Sequence, residues 1–314
     1  MTSVFVFPGQ GSQSVGMLAG FAGEPVVRQA FDEASMALGY DLWKLTQEGP
    51  EERLNATEFT QPAMLTAGVA LWRLWRERDG FLPACVAGHS LGEFTALVAA
   101  SALTLPAAAN LVRIRGRLMQ AAVPGGQGGM AAILGLTDTE VDAACREAAQ
   151  GAVVEAVNFN APGQVVIAGA RAAVERAIAA AKARGARRAV VLPLSVPAHS
   201  SLLQGAALEF GGHLAAVALS TPQIRYVSAV DAREYSAPDE LRQLLVRQLS
   251  SPVRWQDTVR ALLPGTAQII ECGPGKVLSG LNRRIEKGSE LACLSLEDPA
   301  SFEAALAATR AQAA

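Results

Sequence analysis

Three short apolar segments that each stop at a glycine-containing turn constrain the fold of this chain more than any other feature. They cover residues 4–7, 84–87 and 267–270. Apolar runs of this length that end at glycine are typical of buried strands. Between the first two, Thr60-Gln61-Pro62 predicts the start of a long helix. Strands that alternate with helices predict an α/β fold with a parallel sheet.

The middle of the chain has a different order of elements, which begins after the glycine-rich residues 124–129. The order β-α-β-β-α-β predicts a ferredoxin-like unit. We therefore predict a hydrolase-like α/β core at 1–125 and 196–314, an inserted ferredoxin-like subdomain at 126–195, and a substrate cleft between them. The predicted elements are strands at 130–134, 152–157, 164–168 and 188–194, helices at 138–149 and 171–184, and a connecting loop at 158–163.

The charge balance excludes several classes of function. The 314 residues include 27 basic and 29 acidic side chains. This balance provides no excess of positive charge for binding nucleic acid and no polybasic tail for binding a membrane. The longest apolar stretch, 95–112, is interrupted by Ser101, Thr104 and Pro106, so a membrane span is not expected.

The cysteines and the N-terminus predict a compartment. Four cysteines lie far apart without a C-x-x-C pairing, as expected of buried thiols in a reducing environment. The N-terminal segment lacks the regions of a signal peptide, so we expect the protein in the cytoplasm. The glycine-rich sequences at 8–13 and 273–276 fit neither a dinucleotide nor a P-loop register, and no histidine-cysteine cluster indicates a metal. We expect no cofactor and no metal ion.

The sequence G-H-S-L-G at 88–92 fits the nucleophile elbow of serine enzymes. A predicted strand precedes it and a helical pattern at 93–100 follows it, which is the context that this motif requires. The glycines permit a tight turn that exposes Ser90. The helix N-terminus directs the Leu91 backbone N–H toward a developing oxyanion. Ser90 is the candidate nucleophile.

The candidate base is found by elimination, because the chain has three histidines. His89 is adjacent to Ser90, where side chains diverge at a sharp turn, and His213 lies in an Ala/Leu-rich helix. His199 follows the inserted subdomain, where the chain returns to the core beside the predicted cleft. We expect His199 to be the base, and a loop histidine without a catalytic role is the alternative.

No acidic residue between the serine and the histidine has the position of a triad acid. Glu93 begins the helix after the elbow, where a carboxylate is favourable to the helix dipole, and the others fall in the inserted subdomain. The sequence therefore predicts a Ser-His dyad whose imidazole is oriented by a neutral group.

One arginine of the predicted helix 106–122 differs from its neighbours. Arg113 has small and polar side chains three and four residues away, as expected of a solvated surface. Arg115 lies on an apolar face of the predicted helix. A guanidinium there requires a hydrogen-bonding or charged partner, and an anionic ligand would provide one. An internal salt bridge or a side chain that reaches solvent is the alternative. The corresponding neighbours of Arg115 are Leu111, Val112, Leu118 and Met119.

Seven separated motifs occur in a defined order along the chain. They are F-P-G-Q-G-S-Q at 7–13, G-H-S-L-G-E at 88–93, Arg115, N-F-N-A-P-G-Q at 158–164, V-P-A-H at 196–199, Gln248 before Pro252-Val253, and G-P-G at 273–275. Together they resemble the bacterial malonyl-CoA:acyl-carrier-protein transacylases of type II fatty-acid synthesis, and the resemblance covers nearly the whole chain. It implies a ping-pong transfer of malonyl from malonyl-CoA to the phosphopantetheine thiol of acyl carrier protein.

The resemblance implies how the reacting groups are arranged. Ser90 would attack the thioester with His199 as its base, and a malonyl-serine would wait for the carrier thiol. The backbone N–H groups of Gln10 and Leu91 would hold the oxyanion.

The resemblance also implies roles for residues around the serine and the histidine. Arg115 would bind the malonyl carboxylate, and Gln248 would orient the histidine through its main-chain carbonyl. Gln61 and Asn160 match positions near the acyl pocket. Members of this family are usually monomers.

Two other functions stay open from the residues alone. A serine hydrolase such as a thioesterase shares the elbow, and a non-catalytic carrier-binding protein is the second alternative. An acidic carrier is expected to dock on one of two basic clusters. These are Lys182, Arg184, Arg187 and Arg188, and Arg283, Arg284 and Lys287.

Overall fold

The computed structural model describes residues 2–193 and 196–313. Within this part of the chain there are nine strands and thirteen α-helices. The strands are β1 (Thr2–Phe7), β2 (Cys85–Gly88), β3 (Gly128–Leu134), β4 (Val154–Ala161), β5 (Gln164–Ala170), β6 (Arg188–Val191), β7 (Arg225–Val227), β8 (Thr266–Glu271) and β9 (Ala292–Ser295). The helices are α1 (Pro25–Leu38), α2 (Leu42–Glu48), α3 (Glu51–Asn55), α4 (Thr57–Glu77), α5 (Gly92–Ala99), α6 (Leu105–Ala121), α7 (Asp138–Ala149), α8 (Arg171–Ala183), α9 (Gln204–Ala215), α10 (Pro238–Arg247), α11 (Trp255–Leu262), α12 (Val277–Ile285) and α13 (Pro299–Ala313).

The larger sheet has five strands in the order β7-β2-β1-β8-β9, and every neighbouring pair is parallel. Alternate side chains of β1 enter different cores, because strand side chains point to opposite faces. Phe5 and Phe7 pack in the core that contains residues of α1, α4 and α6, whereas Val4 and Val6 pack with residues of α11 and α12. Both faces of the sheet are therefore covered, as parallel sheets require.

The smaller sheet is antiparallel, with the order β4-β5-β3-β6. Residues of α7 and α8 share its main apolar core. This is the predicted ferredoxin-like arrangement, so the predicted fold class, a parallel α/β core with a β-α-β-β-α-β subdomain, is confirmed. The limits 126 and 195 stay predictions, and Leu194 and Ser195 lie outside the described residues.

Three local predictions were wrong. Residues 158–161, expected in a loop, belong to β4, because they continue the antiparallel pairing with β5, in which Phe159 pairs with Val165 and Ala161 with Gln164. Helix α4 begins at Thr57 and not at residue 60, so that Pro62 lies inside the helix. The short strands β7 and β9 were not predicted.

The register of the large sheet places three loops together. Phe7 at the end of β1 pairs with Gly88 at the end of β2, and Val6 pairs with Glu271 at the end of β8. The carboxyl ends of parallel strands are where α/β proteins bind ligands. The glycine-containing loops that follow β1, β2 and β8 therefore meet at one edge.

The four cysteines, all of which the structure describes, are buried and free, as predicted. Among the described helices, none has the length and apolar character that a membrane crossing needs.

Candidate active site

Ser90 lies in the tight turn between β2 and α5, with a positive φ of 53°. Non-glycine residues rarely adopt this conformation, and it is the strained turn expected of a nucleophile elbow. A Cβ on Gly88 would lie 1.9 Å from the Gly92 carbonyl carbon, and a Cβ on Gly92 would lie 2.0 Å from the Phe7 oxygen. Gly88 is therefore required for the turn itself to close, and Gly92 is required for the elbow to pack against the end of β1.

His199 contacts the serine directly. Its Nε2 lies 2.7 Å from Ser90 Oγ, and its Nδ1 lies 3.0 Å from the main-chain oxygen of Gln248. A carbonyl oxygen only accepts, so Nδ1 carries the proton and Nε2 accepts from the serine hydroxyl. Gln248 begins a short 3₁₀ helix, Gln248–Ser250. The sequence-predicted serine, histidine and glutamine are thus brought together in the order that a dyad with a neutral orienting group needs.

Burial and the nearby positive charge of Arg115 lower the pKa of His199 to about 3. Its side chain is 3% exposed. Both causes act against the imidazolium, so the imidazole is neutral over the physiological pH range. A neutral Nε2 is the form that accepts a proton.

Arg115, on α6, is 1% exposed, which confirms that its face of the helix is buried. Its Nη1 donates to Gln61 Oε1 at 2.9 Å, and its Nη2 donates to Gln248 Oε1 at 2.9 Å and to Ser90 Oγ at 3.2 Å. Among the described residues it forms no ion pair and its Nε has no partner. The buried cation therefore contacts neutral groups only. Arg113, expected at a solvated surface, is half-buried and pairs with Glu58.

The predicted oxyanion donors lie on two loops at the same edge. Gln10 follows β1, and Leu91 is the residue before the first turn of α5. Among the described residues neither backbone N–H has a hydrogen-bond acceptor. Unpaired N–H groups at a helix N-terminus are the donors that stabilise a developing negative charge.

A cavity of about 80 Å³ joins these groups and lies between the two sheets. Met130 of β3 and Asn158 of β4 form one wall, so the inserted unit contributes to the site. Asn158 was not predicted, and its buried Oδ1 has no partner among the described residues. The lining residues are Gln10, Thr57, His89, Ser90, Leu91, Arg115, Met119, Met130, Asn158, Val196, Ala198 and His199.

Two predicted pocket residues lie behind this lining. Gln61 is buried and bridges Arg115 to the Met119 sulfur, 3.5 Å from its Nε2. Asn160 Oδ1 lies 2.8 Å from His89 Nε2. Neither residue is part of the described cavity wall. His213 lies on α9, also outside that wall.

Glu93 lies in the first turn of α5, as predicted, and its side chain is buried among polar partners, which was not predicted. Glu93 is 0% exposed and accepts from Tyr226 Oη, from Ser228 Oγ at 2.9 Å and from Gln248 Nε2 at 3.3 Å. Burial raises its pKa to about 7. One feature of the sequence indicates this burial. Glu93 is the only charged residue in α5, and a lone carboxylate in an apolar helix requires buried partners.

Comparison with known proteins fixes the family. The acyl transferase domain family matches residues 4–288. The malonyl CoA-acyl carrier protein transacylase of Salmonella typhimurium is 53% identical over 304 residues, which cover 96% of this chain and 98% of that protein. The chain belongs to this transacylase family.

Solved members of the transacylase family have the same fold. The crystal structure of the enzyme from Xanthomonas oryzae pv. oryzae matches with a TM-score of 0.96 at 53% identity, over 98% of each chain. A malonyl-transacylase in complex with a type II polyketide acyl-carrier protein matches with a TM-score of 0.96 at 50% identity, over 98% of this chain and 100% of that one. The predictions of family and of an acyltransferase enzyme are confirmed.

The pKa of His199 predicts an unusual pH profile for this transacylase. A base with an ordinary histidine pKa loses activity as the pH falls through about 6.5. Because the pKa of His199 is lowered to about 3, the neutral form persists well below that pH. We expect kcat/KM for acetyl-CoA, followed by CoA release, to change less than about twofold between roughly pH 8 and pH 5. A midpoint near 6.5 would contradict this assignment.

Proposed function

We propose that this transacylase moves a malonyl group from malonyl-CoA to the phosphopantetheine thiol of acyl carrier protein, in fatty-acid synthesis, through a malonyl-Ser90 intermediate. The observation that carries the proposal is a buried cation that has no carboxylate partner in the part of the chain that the structure describes and that donates to the hydroxyl of Ser90. In such a site a nucleophile and an anion-binding group are close enough to contact the two ends of the same acyl group. We place the reaction in the cytoplasm, in keeping with four buried free thiols.

The acylation half-reaction starts at Ser90. As Oγ attacks the thioester carbonyl, its proton moves to His199 Nε2, and the Gln248 carbonyl stabilises the imidazolium through Nδ1–H. The carbonyl oxygen becomes an oxyanion, held by the N–H groups of Gln10 and Leu91. Collapse of the tetrahedral intermediate breaks the C–S bond, and the proton passes from His199 to the leaving CoA sulfur.

The second half-reaction repeats these steps with a different nucleophile. His199 takes the proton of the pantetheine thiol, and the thiolate attacks the malonyl-serine carbonyl. Collapse now breaks the bond to Oγ, and the proton returns to Ser90. No other group needs to change its protonation state, so the free enzyme is regenerated.

Arg115 supplies selectivity in this proposal. Its guanidinium donates to Ser90 Oγ at 3.2 Å, so a carboxylate two carbons from the acyl carbonyl falls within its reach. A planar guanidinium matches a carboxylate bidentately, and a buried site strengthens the pair because little water competes.

A covalent adduct on Ser90 is the first prediction. Malonyl-CoA without a carrier should release about one equivalent of CoA and then slow, and intact-protein mass spectrometry should show one added malonyl group. Ser90→Ala should abolish both signals. Continuous CoA release would favour a thioesterase, and no adduct on the wild type would favour a non-catalytic carrier-binding protein. Malonylation of Ser90→Ala would refute the assignment of the nucleophile.

Replacement of Arg115 should separate malonyl recognition from general acyl transfer. Arg115→Ala leaves the malonyl carboxylate unpaired in a buried site, which costs on the order of 3–5 kcal/mol. Malonyl-CoA should therefore lose roughly a hundredfold or more in kcat/KM. Acetyl-CoA, which has no carboxylate, should keep its rate, and Arg115→Lys should recover part of the malonyl rate.

Arg113→Ala is the matched control for this experiment. Arg113 lies on the same helix and pairs with Glu58 outside the cavity wall. We expect its loss to leave the malonyl-to-acetyl ratio unchanged. Equal losses for both substrates in Arg115→Ala, with an intact circular dichroism spectrum, would mean that the carboxylate is held elsewhere.

Part of one predicted basic cluster lies close to the other in the fold, whereas Arg184 of the first cluster pairs with Glu147. Arg188 of β6 and Gln164 of β5 both pair with Leu134 of β3, and Arg284 of α12 donates to Gln164 Oε1 at 2.5 Å. The exposed Arg187 packs against Gly135, the residue after Leu134. We call the surface of Arg187, Arg188, Arg283, Arg284 and Lys287 the basic edge.

We expect an acidic carrier protein to dock on the basic edge. Arg188→Glu and Arg284→Glu should lower kcat/KM for the carrier about tenfold at low salt, and less at high salt, because exposed charges are screened. Malonylation of Ser90 by malonyl-CoA should be unchanged. Arg225→Glu, at the amino end of β7 and away from the site, is the control. Unchanged carrier kinetics in both variants would place docking elsewhere.

A further inference from the structure

The buried polar cluster behind the serine holds two opposite charges that do not touch. Glu93 on α5 is fully buried, and Arg115 on α6 is 1% exposed. Neither forms an ion pair among the described residues. The side chain of Gln248 lies between them, because its Nε2 is 3.3 Å from Glu93 Oε1 and its Oε1 is 2.9 Å from Arg115 Nη2.

The same glutamine also contacts both members of the dyad. Its Nε2 donates to the main-chain oxygen of Ser90 at 2.7 Å, and its own main-chain oxygen lies 3.0 Å from His199 Nδ1. The histidine is held by the main chain of Gln248, whereas Arg115 is held by its side chain. A change in the side-chain amide can therefore act on the arginine without displacing the carbonyl that orients the histidine.

The chemistry of the two charged groups fixes one orientation of the amide. An ionised carboxylate only accepts hydrogen bonds, so it requires the NH₂ group of Gln248 to face Glu93. A guanidinium only donates, so it requires the amide oxygen to face Arg115. Both demands select the same rotation, and the reverse rotation would place donor against donor and acceptor against acceptor.

An indirect contact has an advantage over a direct one. A salt bridge from Glu93 to Arg115 would occupy the donors that an incoming carboxylate needs. A buried guanidinium without any counter-charge would be costly, and burial lowers the pKa of Arg115 to about 10 because it disfavours the charged form. With the amide between them, the negative charge of Glu93 still opposes that cost while Nη2 stays directed at Ser90.

We propose that Glu93 is a positioning residue, which fixes the Gln248 amide so that its oxygen holds Arg115 in the orientation that receives the substrate carboxylate. The proposal rests on the proposed function, since it concerns recognition of a malonyl group. Hydrogen bonds from Tyr226, Ser228 and Gln248, and the charge of Arg115, favour the ionised form and oppose the rise in the pKa of Glu93 that burial causes.

The competing interpretation is that Glu93 only completes a polar core with Tyr226 and Ser228. In that case its replacement would change stability and would affect all acyl substrates equally. If Glu93 acts through Gln248 on Arg115, its replacement affects a substrate with a carboxylate more than one without. The ratio of malonyl to acetyl kcat/KM therefore distinguishes the two interpretations.

The test uses Glu93→Gln in the full chain. A glutamine keeps the shape of the side chain, but it removes the charged acceptor of Gln248 Nε2. The amide is then held by the Ser90 carbonyl and Arg115 alone, so its position is less tightly fixed. We expect the malonyl-to-acetyl ratio, from the CoA-release burst at about pH 8, to fall roughly tenfold, since a misplaced binding group costs between ten- and a hundredfold. The fall should be smaller than in Arg115→Ala, which removes the guanidinium itself.

Glu271→Gln is the matched control. Glu271 is also fully buried with a pKa raised to about 7, but it accepts from the backbone N–H groups of Leu278 and Ser279 at the start of α12. The same chemical change there should lower the melting temperature and leave the substrate ratio within twofold.

Three results would overturn the proposal. They are an unchanged ratio in Glu93→Gln, a ratio that rises because a repelling charge has been removed, and an equal effect in Glu271→Gln. If Glu93→Gln does not fold, Glu93→Asp gives the same test, because it keeps the charge but withdraws the carboxylate from Gln248 by one methylene, and the same fall is expected. Failure of the proposed function is distinguishable, since the wild type would then form no malonyl-serine.

Discussion

The hydrogen bonds of Gln248 are the interactions on which the arrangement of this site depends. One buried residue accepts from the imidazole through its main chain and joins a carboxylate, a guanidinium and the elbow carbonyl through its side chain. These contacts are 2.7–3.3 Å long and at least partly buried, and in such surroundings a hydrogen bond is stronger and a missing one is costly. The orientation of a neutral amide therefore decides whether the proposed base, nucleophile and anion receptor face one another.

This arrangement accounts for how the proposed serine mechanism operates without a triad acid. A carboxylate beside His199 would raise the pKa of the imidazole and would also pair with Arg115. A carbonyl fixes the tautomer without adding charge, and the carboxylate that the site does contain, Glu93, is separated from the guanidinium by the amide. His199 stays neutral, and the N–H groups of Arg115 remain available to a substrate carboxylate. The proposed proton transfer and carboxylate binding are therefore compatible in one cavity.

Local patterns predicted most of the fold and failed where a partner was distant. The limits of α7 were predicted as observed, because Thr137 and Glu140 form a capping box at its start. Strands β7 and β9 have three and four residues and become strands only beside β2 and β8.

The sequence by itself determined the elbow and the buried face of Arg115. The motif locates Ser90 in a tight turn, because a strand precedes it, two glycines flank it and a helix begins after it. Helical spacing shows which side chains surround Arg115. Only the tertiary structure decided that Glu93 faces inward to Gln248, that Asn158 enters the cavity wall, and that Asn160 contacts His89 behind it. The reason is separation along the chain. Periodicity carries information over one or two turns, whereas the Ser90–His199 and Ser90–Gln248 contacts join residues 109 and 158 positions apart.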